Sequence, residues 1–336
     1  MALPVGSRST GAHPLGAVPR GAVPRGAFPR GAFPWGVFPW GASPVRALRV
    51  WAILSWMTVF CLAPPIAGAQ PNAARSRIVV ASDGVRLHVQ DSGPPGAHVI
   101  LLVPGWTMPA WIWEPQIRFF SRNYRVLAFD PRGQGASDVP ATGYDHIRRG
   151  KDIGDVIAQL APSPPVVVAW SLGVLDTLAY LTIQGDARVA GLVLVDNSVG
   201  EEPAPIPARP KPTTAPKPPH EQAMRQFVRG MFRQPQSPAY LERLTQATLR
   251  TPEPAAKALL SYPVPRGFWR DAVYATRHPV LYVVRPRWAE QAQNLARNRA
   301  GTETDIFYEA GHALFVDEPA RFNRLVEGFI RRRVWP

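Results

Sequence analysis

The sequence predicts an α/β fold: a mostly parallel, doubly wound sheet of eight strands with a helical cap inserted into it. Short, almost unbroken runs of Val, Leu and Ile recur from about residue 76, and strands covered by helices on both faces have this composition. Helix-like stretches separate most of these runs, which favours parallel strands joined by right-handed crossovers. A proline-rich interruption late in the chain marks the insertion.

The first two strands are predicted as a hairpin, and the others follow in order. RIVVASDGVRLHVQDSG contains two short strands around Asp83-Gly84, a typical hairpin turn. The remaining six strands are predicted in HVILLV, YRVLAF, PPVVVAW, VAGLVLV, HPVLYVV and TETDIFY, and helices are predicted around 110–121, 147–161, 172–184 and 317–333.

The insertion follows the strand that ends in VDN. A linker rich in proline runs from Glu201 to His220, and three helical stretches follow near 221–233, 237–249 and 253–261. Because the preceding strand ends at the carboxyl edge of the sheet, we expect the insertion to lie beside that edge as a cap that lines or gates a pocket; surface helices without a role are the alternative. The predicted parts are a core of residues 76–199 and 276–336 and a linker with cap of residues 200–275.

The N-terminal residues are predicted to lie outside the fold. Residues 1–45 include repeats such as GAVPR and GAFPR, whose regular prolines block helix and sheet, so this segment is predicted to be disordered. Residues 46–69 have a basic start, an apolar run and the small residues Ala67-Gly68-Ala69, as a signal peptide does. We expect cleavage near Ala69-Gln70 and export to the periplasm or the medium; an uncleaved membrane anchor is the alternative.

Charge and cysteine content exclude several classes of function. Residues 1–69 hold six arginines and no acidic residue, so subtracting these from the net charge of +14 leaves +8, spread without a basic run. This argues against nucleic-acid binding. Cys61, the only cysteine, lies in the leader. With no HExxH, no paired cysteines and no phosphate-binding glycine loop, no metal or cofactor is predicted, and the expected partner is a small-molecule substrate.

Ser171 is the predicted nucleophile. In an open α/β sheet, sites form beyond the carboxyl ends of the strands. The segment VVVAWSLGVLDTL turns from a strand into a helix at Ser171, with the small residues Ala169 and Gly173 two positions to either side. This is the strand–turn–helix context of the G-x-S-x-G elbow, with Ala in place of the first glycine.

His312 is the predicted base, because a serine hydroxyl needs one and EAGH follows the last strand. The other six histidines fall in the leader, before strands, in the hairpin, in the linker or at a helix start. Asp196, at the end of GLVLVD, is the predicted acid, and Glu290 is the alternative; a dyad supported by water is also open. Asp130 and Asp138 are predicted to fix a glycine-rich loop.

The oxyanion of a tetrahedral intermediate needs two backbone donors. The N–H of Leu172, at the start of a helix, is one candidate, and the N–H of Trp106, after Pro104-Gly105, is the other. The side chains of Trp106 and Trp170 are predicted as walls of an apolar substrate pocket.

PGWTMPAWIWEPQIRFFSRNYRVLAFDPRGQGASD, VVVAWSLGVLDTLAYL and YEAGHALFVDEPARFN resemble the α/β-hydrolase superfamily over about residues 77–335. The nearest branch holds cofactor-free haloperoxidases, small esterases and haloalkane dehalogenases. The resemblance implies a Ser-His-acid triad with Ser171 and His312. The sequence departs from the pattern where His-Gly is replaced by Pro104-Gly105 and where RPRWAEQ lacks the usual acid. RVAGLVLVD matches the dehalogenase acid position in kind, which supports Asp196, whereas a serine nucleophile speaks against dehalogenation.

The hypothesis that follows is hydrolysis of a small, apolar carboxylic ester by a Ser-His-Asp triad through an acyl-enzyme. A cofactor-free perhydrolase, haloperoxidase or lyase on the same residues is one alternative. A non-catalytic binding protein that kept the fold is the other.

Overall fold

The computed structural model describes residues 74–205, 218–261 and 263–336. The predictions for residues 1–45 and 46–69 lie outside the described residues, as does most of the proline-rich linker. Within the described chain, none of the helices is long and apolar enough to cross a membrane.

One eight-stranded sheet runs through the described chain in the order β1-β2-β4-β3-β5-β6-β7-β8. The β1–β2 hairpin pairs antiparallel, as does β2 with β4, and all other neighbours are parallel. This confirms the predicted mostly parallel sheet. The strands are β1 (Arg75–Val80), β2 (Arg86–Ser92), β3 (Val99–Val103), β4 (Arg125–Phe129), β5 (Val166–Trp170), β6 (Gly191–Val195), β7 (Val280–Val284) and β8 (Thr302–Ile306).

Ten α-helices accompany these strands in the described residues. Helices α1 to α3 and α10 lie where the sequence predicts them, whereas α7 and α8 were not predicted. Only short apolar patches mark these two helices: the buried apolar residues are Ala292 and Leu295 in α8, and Trp269, Ala272 and Val273 in α7. The helices are α1 (Glu114–Phe120), α2 (His146–Leu160), α3 (Leu172–Gln184), α4 (His220–Gly230), α5 (Pro238–Leu249), α6 (Glu253–Ala258), α7 (Arg266–Ala275), α8 (Ala289–Asn298), α9 (Leu314–Asp317) and α10 (Pro319–Phe329).

Helices cover both faces of the sheet, so the central strands are buried along their whole length. Every residue of β3, β5, β6 and β7 is buried. Successive residues point to opposite faces, and two apolar cores result. One contains residues of α2, α3, α7 and α8, and the other contains residues of α1 and α10. The unbroken apolar runs in the sequence have this physical cause.

The insertion between β6 and β7 covers loops at the carboxyl edge of the sheet. The indole N–H of Trp106, after β3, donates to the carbonyl oxygen of Ala256 in α6 at 2.8 Å. The backbone N–H of Ala313, beside His312, donates to Met231, after α4, at 3.0 Å. Helix α7, the last helix within the predicted cap range of 200–275, packs on α3.

The strand register sets the positions of the residues that follow each strand. Trp170 pairs with Val195, and Val195 pairs with Val283. The N–H of Ser171 consequently donates to Val195, and the N–H of Asp196 donates to Val283, each at 2.9 Å. Ser171 and Asp196 thus leave adjacent strands at the same level of the sheet.

Candidate active site

Ser171 lies on a sharp turn between β5 and α3. Its φ of 54° and ψ of −121° are unfavourable for a residue with a side chain. Close packing around the turn explains the small residue two positions on, because a methyl group on Gly173 would lie 2.6 Å from the carbonyl oxygen of Pro104. The turn leaves the hydroxyl of Ser171 half-buried at the carboxyl edge of the sheet.

A continuous hydrogen-bond chain joins Ser171, His312 and Asp196. The Oγ of Ser171 is 2.8 Å from Nε2 of His312, and Nδ1 of the same ring is 2.6 Å from Oδ2 of Asp196. With the proton of the neutral ring on Nδ1, His312 donates to the carboxylate and accepts from the hydroxyl. Residues that are 116 and 141 positions apart from His312 are therefore in direct contact with it.

Asp196 is the acidic residue in contact with His312, and it is almost fully buried, with 2% of its surface exposed. Burial alone raises its pKa, but the hydrogen bond from His312 and the charges of His312 and Arg285 outweigh burial and hold the pKa of Asp196 below its ordinary value. Glu290, the alternative acid, is exposed on α8. It makes no hydrogen bond to His312 within the described chain.

The loop after β3 passes directly beside Ser171. A methyl group on Gly105 would lie 2.9 Å from Cβ of Ser171, so only glycine permits this approach. The next N–H, that of Trp106, and the first N–H of α3, that of Leu172, are the two predicted oxyanion donors. The buried side chain of Gln134 fixes the loop, because it accepts from the N–H of Thr107 at 2.8 Å and donates to the carbonyl of Gly105 at 3.2 Å.

Backbone strain is concentrated at this site. Among the described residues, the non-glycine residues with positive φ are Thr107 at 58°, Ser171 at 54° and Asp196 at 48°. They follow β3, β5 and β6. Unfavourable conformations of this kind cost roughly 1–3 kcal/mol each and cluster at functional sites. Thr107 lies in the candidate oxyanion loop, Ser171 is the candidate nucleophile and Asp196 is the candidate acid.

Trp170, predicted to be a wall of the substrate pocket, is almost fully buried. Its ring is 1% exposed and packs against Phe315 with ring centroids 5.1 Å apart. Its indole N–H donates to the carbonyl oxygen of His312 at 2.8 Å, so it helps to hold the backbone that carries the imidazole. It faces inward because alternate residues of β5 point to opposite faces. The ring of Trp106 is only partly buried and contacts Phe227 of α4 edge-on at 4.9 Å.

Two further residues at the site are absent from the sequence-based set. Arg285, which follows β7, donates from Nε to Oδ2 of Asp196 at 2.5 Å. Asn197 donates from its side chain to the carbonyl oxygen of Ser171 at 2.8 Å. The only sign of these two residues in the sequence is their position: Arg285 directly follows a strand, and Asn197 directly follows the predicted acid. Their partners depend on the register between strands.

The glycine-rich loop after β4 has the predicted structural contacts. The carboxylate of Asp130 accepts from the N–H groups of Ala110 at 2.5 Å and Ala136 at 3.0 Å, and that of Asp138 accepts from the N–H of Arg86 at 2.9 Å. These carboxylates hold the loop in place.

The site therefore combines a hydroxyl, an imidazole, an ionised carboxylate and two backbone donors next to a partly buried indole. Such an arrangement can activate a hydroxyl as a nucleophile toward an electrophilic carbon. Within the described part of the chain, no group of three or more His, Cys, Asp and Glu side chains is arranged to hold a metal ion.

Known proteins resemble this chain in sequence and structure. A non-heme chloroperoxidase from Streptomyces lividans is 35% identical over 118 residues, which are 35% of this chain and 43% of that protein. A bifunctional esterase/perhydrolase from Acinetobacter calcoaceticus is 32% identical over an equal length and equal shares. The chain thus matches less than half the length of these two relatives.

The crystal structure of a protein from Burkholderia cenocepacia, proposed to be an aryl esterase, superposes with a TM-score of 0.65 at 27% identity. It covers 76% of this chain and 98% of the other. Residues 100–325 match the sequence model of the alpha/beta hydrolase family, a span that includes Ser171, Asp196 and His312. On this match, which extends over more than half of its length, the chain belongs to the alpha/beta hydrolase family.

Proposed function

We propose that this hydrolase is a serine esterase that cleaves small, apolar carboxylic esters. The observation that carries the proposal is the chain of contacts from Ser171 through His312 to Asp196, with distances of 2.8 and 2.6 Å. The esterase/perhydrolase relative and the aryl esterase fold support the same class of substrate.

In the proposed first half-reaction, Oγ of Ser171 attacks the ester carbonyl carbon while Nε2 of His312 takes its proton. The N–H groups of Trp106 and Leu172 bind the resulting oxyanion, and the buried carboxylate of Asp196 offsets the charge on the imidazolium. When the intermediate collapses, His312 returns the proton to the departing alkoxide, and the acyl group remains on Ser171.

In the second half-reaction, water takes the place of the alcohol. His312 removes a proton from the water, and the resulting oxygen nucleophile attacks the acyl carbon on Ser171. The oxyanion occupies the same two N–H groups. Collapse of this intermediate releases the carboxylic acid, and the proton on His312 returns to Oγ. The enzyme is regenerated without any external oxidant or reductant.

Perhydrolysis is the second candidate, because one matched relative carries both activities in its name. Hydrogen peroxide would replace water in the second half-reaction, and a peroxy acid would leave. Product analysis with and without peroxide separates the two: peroxy acid formed faster than carboxylic acid would favour the perhydrolase.

The test of the proposal is labelling with a fluorophosphonate, which reacts with activated serines, combined with turnover of p-nitrophenyl esters of increasing chain length. We expect wild type to be labelled and to turn over the shorter esters. Ser171→Ala is expected to lose both while keeping its melting temperature. A wild-type protein that is neither labelled nor active would instead favour a binding protein.

Ser76 provides a matched control for this experiment. Its Oγ lies 3.0 Å from Nε2 of His88, whose Nδ1 lies 2.8 Å from Asp130. It is therefore a second serine in contact with a histidine and an aspartate, on the exposed strand β1. Ser76→Ala is expected to keep full labelling and activity. If Ser171→Ala kept its label or its turnover, the assignment of the nucleophile would be wrong.

A further inference from the structure

Arg285 begins the segment after β7 that lacks the acid expected from the resemblance. It is the first residue after β7, in the segment RPRWAEQ. Its side chain turns toward Asp196 at the end of the neighbouring strand β6. The acid thus follows β6 and the guanidinium follows β7. The two charged groups contact each other beside the imidazole of His312.

The contacts of Asp196 fix both of its oxygens. Oδ1 accepts from the backbone N–H of Arg285 at 3.0 Å, and Oδ2 accepts from Nε of the same residue at 2.5 Å. Oδ2 is also the oxygen that lies 2.6 Å from Nδ1 of His312. Arg285 thus supplies two of the three hydrogen bonds to a carboxylate that is almost completely buried.

This geometry has two consequences. Two donors from one residue prevent rotation of the carboxylate, so the oxygen that faces His312 stays in place even while the imidazole moves. In addition, the guanidinium places a positive charge beside the buried carboxylate, and a buried charge is costly unless it is paired. One nitrogen of the guanidinium lies 3.4 Å from Nδ1 of His312, so Arg285 also borders the imidazole ring at the nitrogen that faces Asp196.

We propose that Arg285 is the positioning residue of the triad, which holds Asp196 in the orientation that His312 requires. The inference rests on the proposed function. Arg285 acts through Asp196 and has no contact with the reacting atoms in this role. Its side-chain partners on the adjoining elements are Asp196 and His312, and the side chain of Tyr282 in β7 donates to the carbonyl of Asn197 instead.

The first test is a double-mutant cycle on ester hydrolysis. Arg285→Gln is expected to lower kcat by about 10- to 100-fold, the usual effect of losing a residue that orients a functional group, with little change in KM. In an Asp196→Asn background, the same substitution is expected to have almost no further effect, because its target is gone. Arg285→Lys is expected to recover part of kcat. Equal effects in both backgrounds, or unchanged kcat in Arg285→Gln, would overturn the proposal.

Arg287 is the matched control, because it lies two residues away, is exposed and stacks on Trp288 at 4.4 Å. Arg287→Gln is expected to leave kcat and KM unchanged. The melting temperature of each variant shows whether it folds. If Arg285→Gln fails to fold, the kcat of Arg285→Lys is compared with that of wild type instead.

The second test does not depend on turnover, so it separates failure of this proposal from failure of the esterase assignment. The proton of a histidine Nδ1 held by a carboxylate gives a low-field resonance in proton NMR. In the Ser171→Ala protein we expect this resonance for His312, and we expect Arg285→Gln to broaden or abolish it by exchange with water. A resonance that is unchanged in Arg285→Gln would overturn the positioning role, whatever the ester assays give.

Discussion

Among the residues that the structure describes, Ser171 and Ser76 each contact a histidine that contacts an aspartate, yet their surroundings differ. Ser171 sits on a strained turn with φ of 54°, at the start of a helix and beside a glycine that brings a second backbone strand close. Ser76 lies on the edge strand β1, where the backbone is extended. A nucleophile needs donors for the oxyanion as well as a base. The turn and the glycine, rather than the three residue types, distinguish the candidate site.

The identity of the acid gives a prediction at this scale. Asp196→Asn is expected to lower kcat/KM by about 10⁴-fold, the order found when the triad acid is lost elsewhere, because the wrong tautomer of His312 is then favoured. Glu290→Gln, an exposed change of equal size, is the control and is expected to stay within about twofold. Steady-state kinetics on one p-nitrophenyl ester measures both. The reverse ranking would move the acid to α8.

Some of these site residues were easier to predict from the sequence than others. Ser171 and His312 follow buried strands in a fixed order, so their positions are given by the fold. Asp196 and Glu290 both follow strands, and only the register between β6 and β7 decides which reaches the imidazole. The burial of Trp170 was not predictable for a similar reason, because the face that its ring occupies depends on where the strand begins its alternation.

At the scale of elements, the start of α2 contains a buried imidazole without a polar partner. His146 is 2% exposed, and both of its ring nitrogens lack hydrogen bonds within the described residues. The rings of Phe268 and Trp269 in α7 lie against it at 5.5 and 5.1 Å. Burial, together with the charge of Arg149, lowers the pKa of His146, and Asp145 opposes this shift only in part.

This lowered pKa predicts how stability changes with pH. The unfolded chain binds a proton at position 146 near pH 6.5, whereas the folded protein resists it, so the free energy of unfolding falls as the pH drops below about 6.5. His146→Phe is expected to remove this part of the pH dependence and to stabilise the protein at pH 7.5 by about 1 kcal/mol, since an unpartnered polar group is lost.

Urea unfolding at pH 7.5 and pH 5.5 measures the effect. His146→Gln is the control, because it removes the titrating group but retains an unpartnered polar side chain; it is expected to lose the pH dependence without the gain at pH 7.5. If His146→Phe kept the full wild-type difference between the two pH values, another group would be responsible.

A hydrogen bond joins the cap helix α6 to the side chain of Trp106 in the candidate oxyanion loop. The hydrogen bond from Trp106 to Ala256 joins residues 150 positions apart. Trp106→Phe keeps a ring and the backbone N–H but removes this bond, which is worth about 1 kcal/mol. We expect KM to rise about fivefold for long-chain esters and less for acetate, because α6 then loses one of its contacts to the candidate oxyanion loop.

Kinetics across ester chain length measures this preference. Trp111→Phe is the control, since the ring of Trp111 contacts α5 through Tyr240 and Arg243 instead, and it is expected to leave the preference unchanged. An equal loss of kcat for every ester in Trp106→Phe would indicate damage to the oxyanion loop rather than to the cap.

Elements of the core were predictable from the sequence to different degrees. The strands β3, β5, β6 and β7 are buried on both faces, so their composition alone identifies them. The helices α7 and α8 carry short apolar patches on an otherwise polar surface, and such patches are hard to distinguish from a loop. The packing of α7 on α3 was not predictable for the same reason, because it is a tertiary contact.

At the scale of the whole molecule, we propose that the chain is exported and cut after Ala69. The segment before the cut has a basic start, about 14 apolar residues and a small-x-small end, and the described fold begins only a few residues later. Arg75, in β1, donates to the carboxylate of Asp91 at 2.9 Å and to the carbonyl of Gly93 at 3.1 Å. Cleavage at this position would therefore leave the contacts of the first strand intact.

The prediction is tested by expressing the full chain in a Gram-negative bacterium and sequencing the N-terminus of the protein recovered outside the cytoplasm. We expect it to begin at Gln70. Ala69→Leu, which places a bulky residue at the end of the predicted cleavage motif, is expected to slow processing and leave the longer chain with the membrane. A wild-type chain that stays uncut in the membrane fraction would favour the anchor instead. Recovery from the cytoplasm alone would exclude both. Because Arg75 follows Gln70 by five positions, the cut chain is expected to keep the melting temperature of the uncut one.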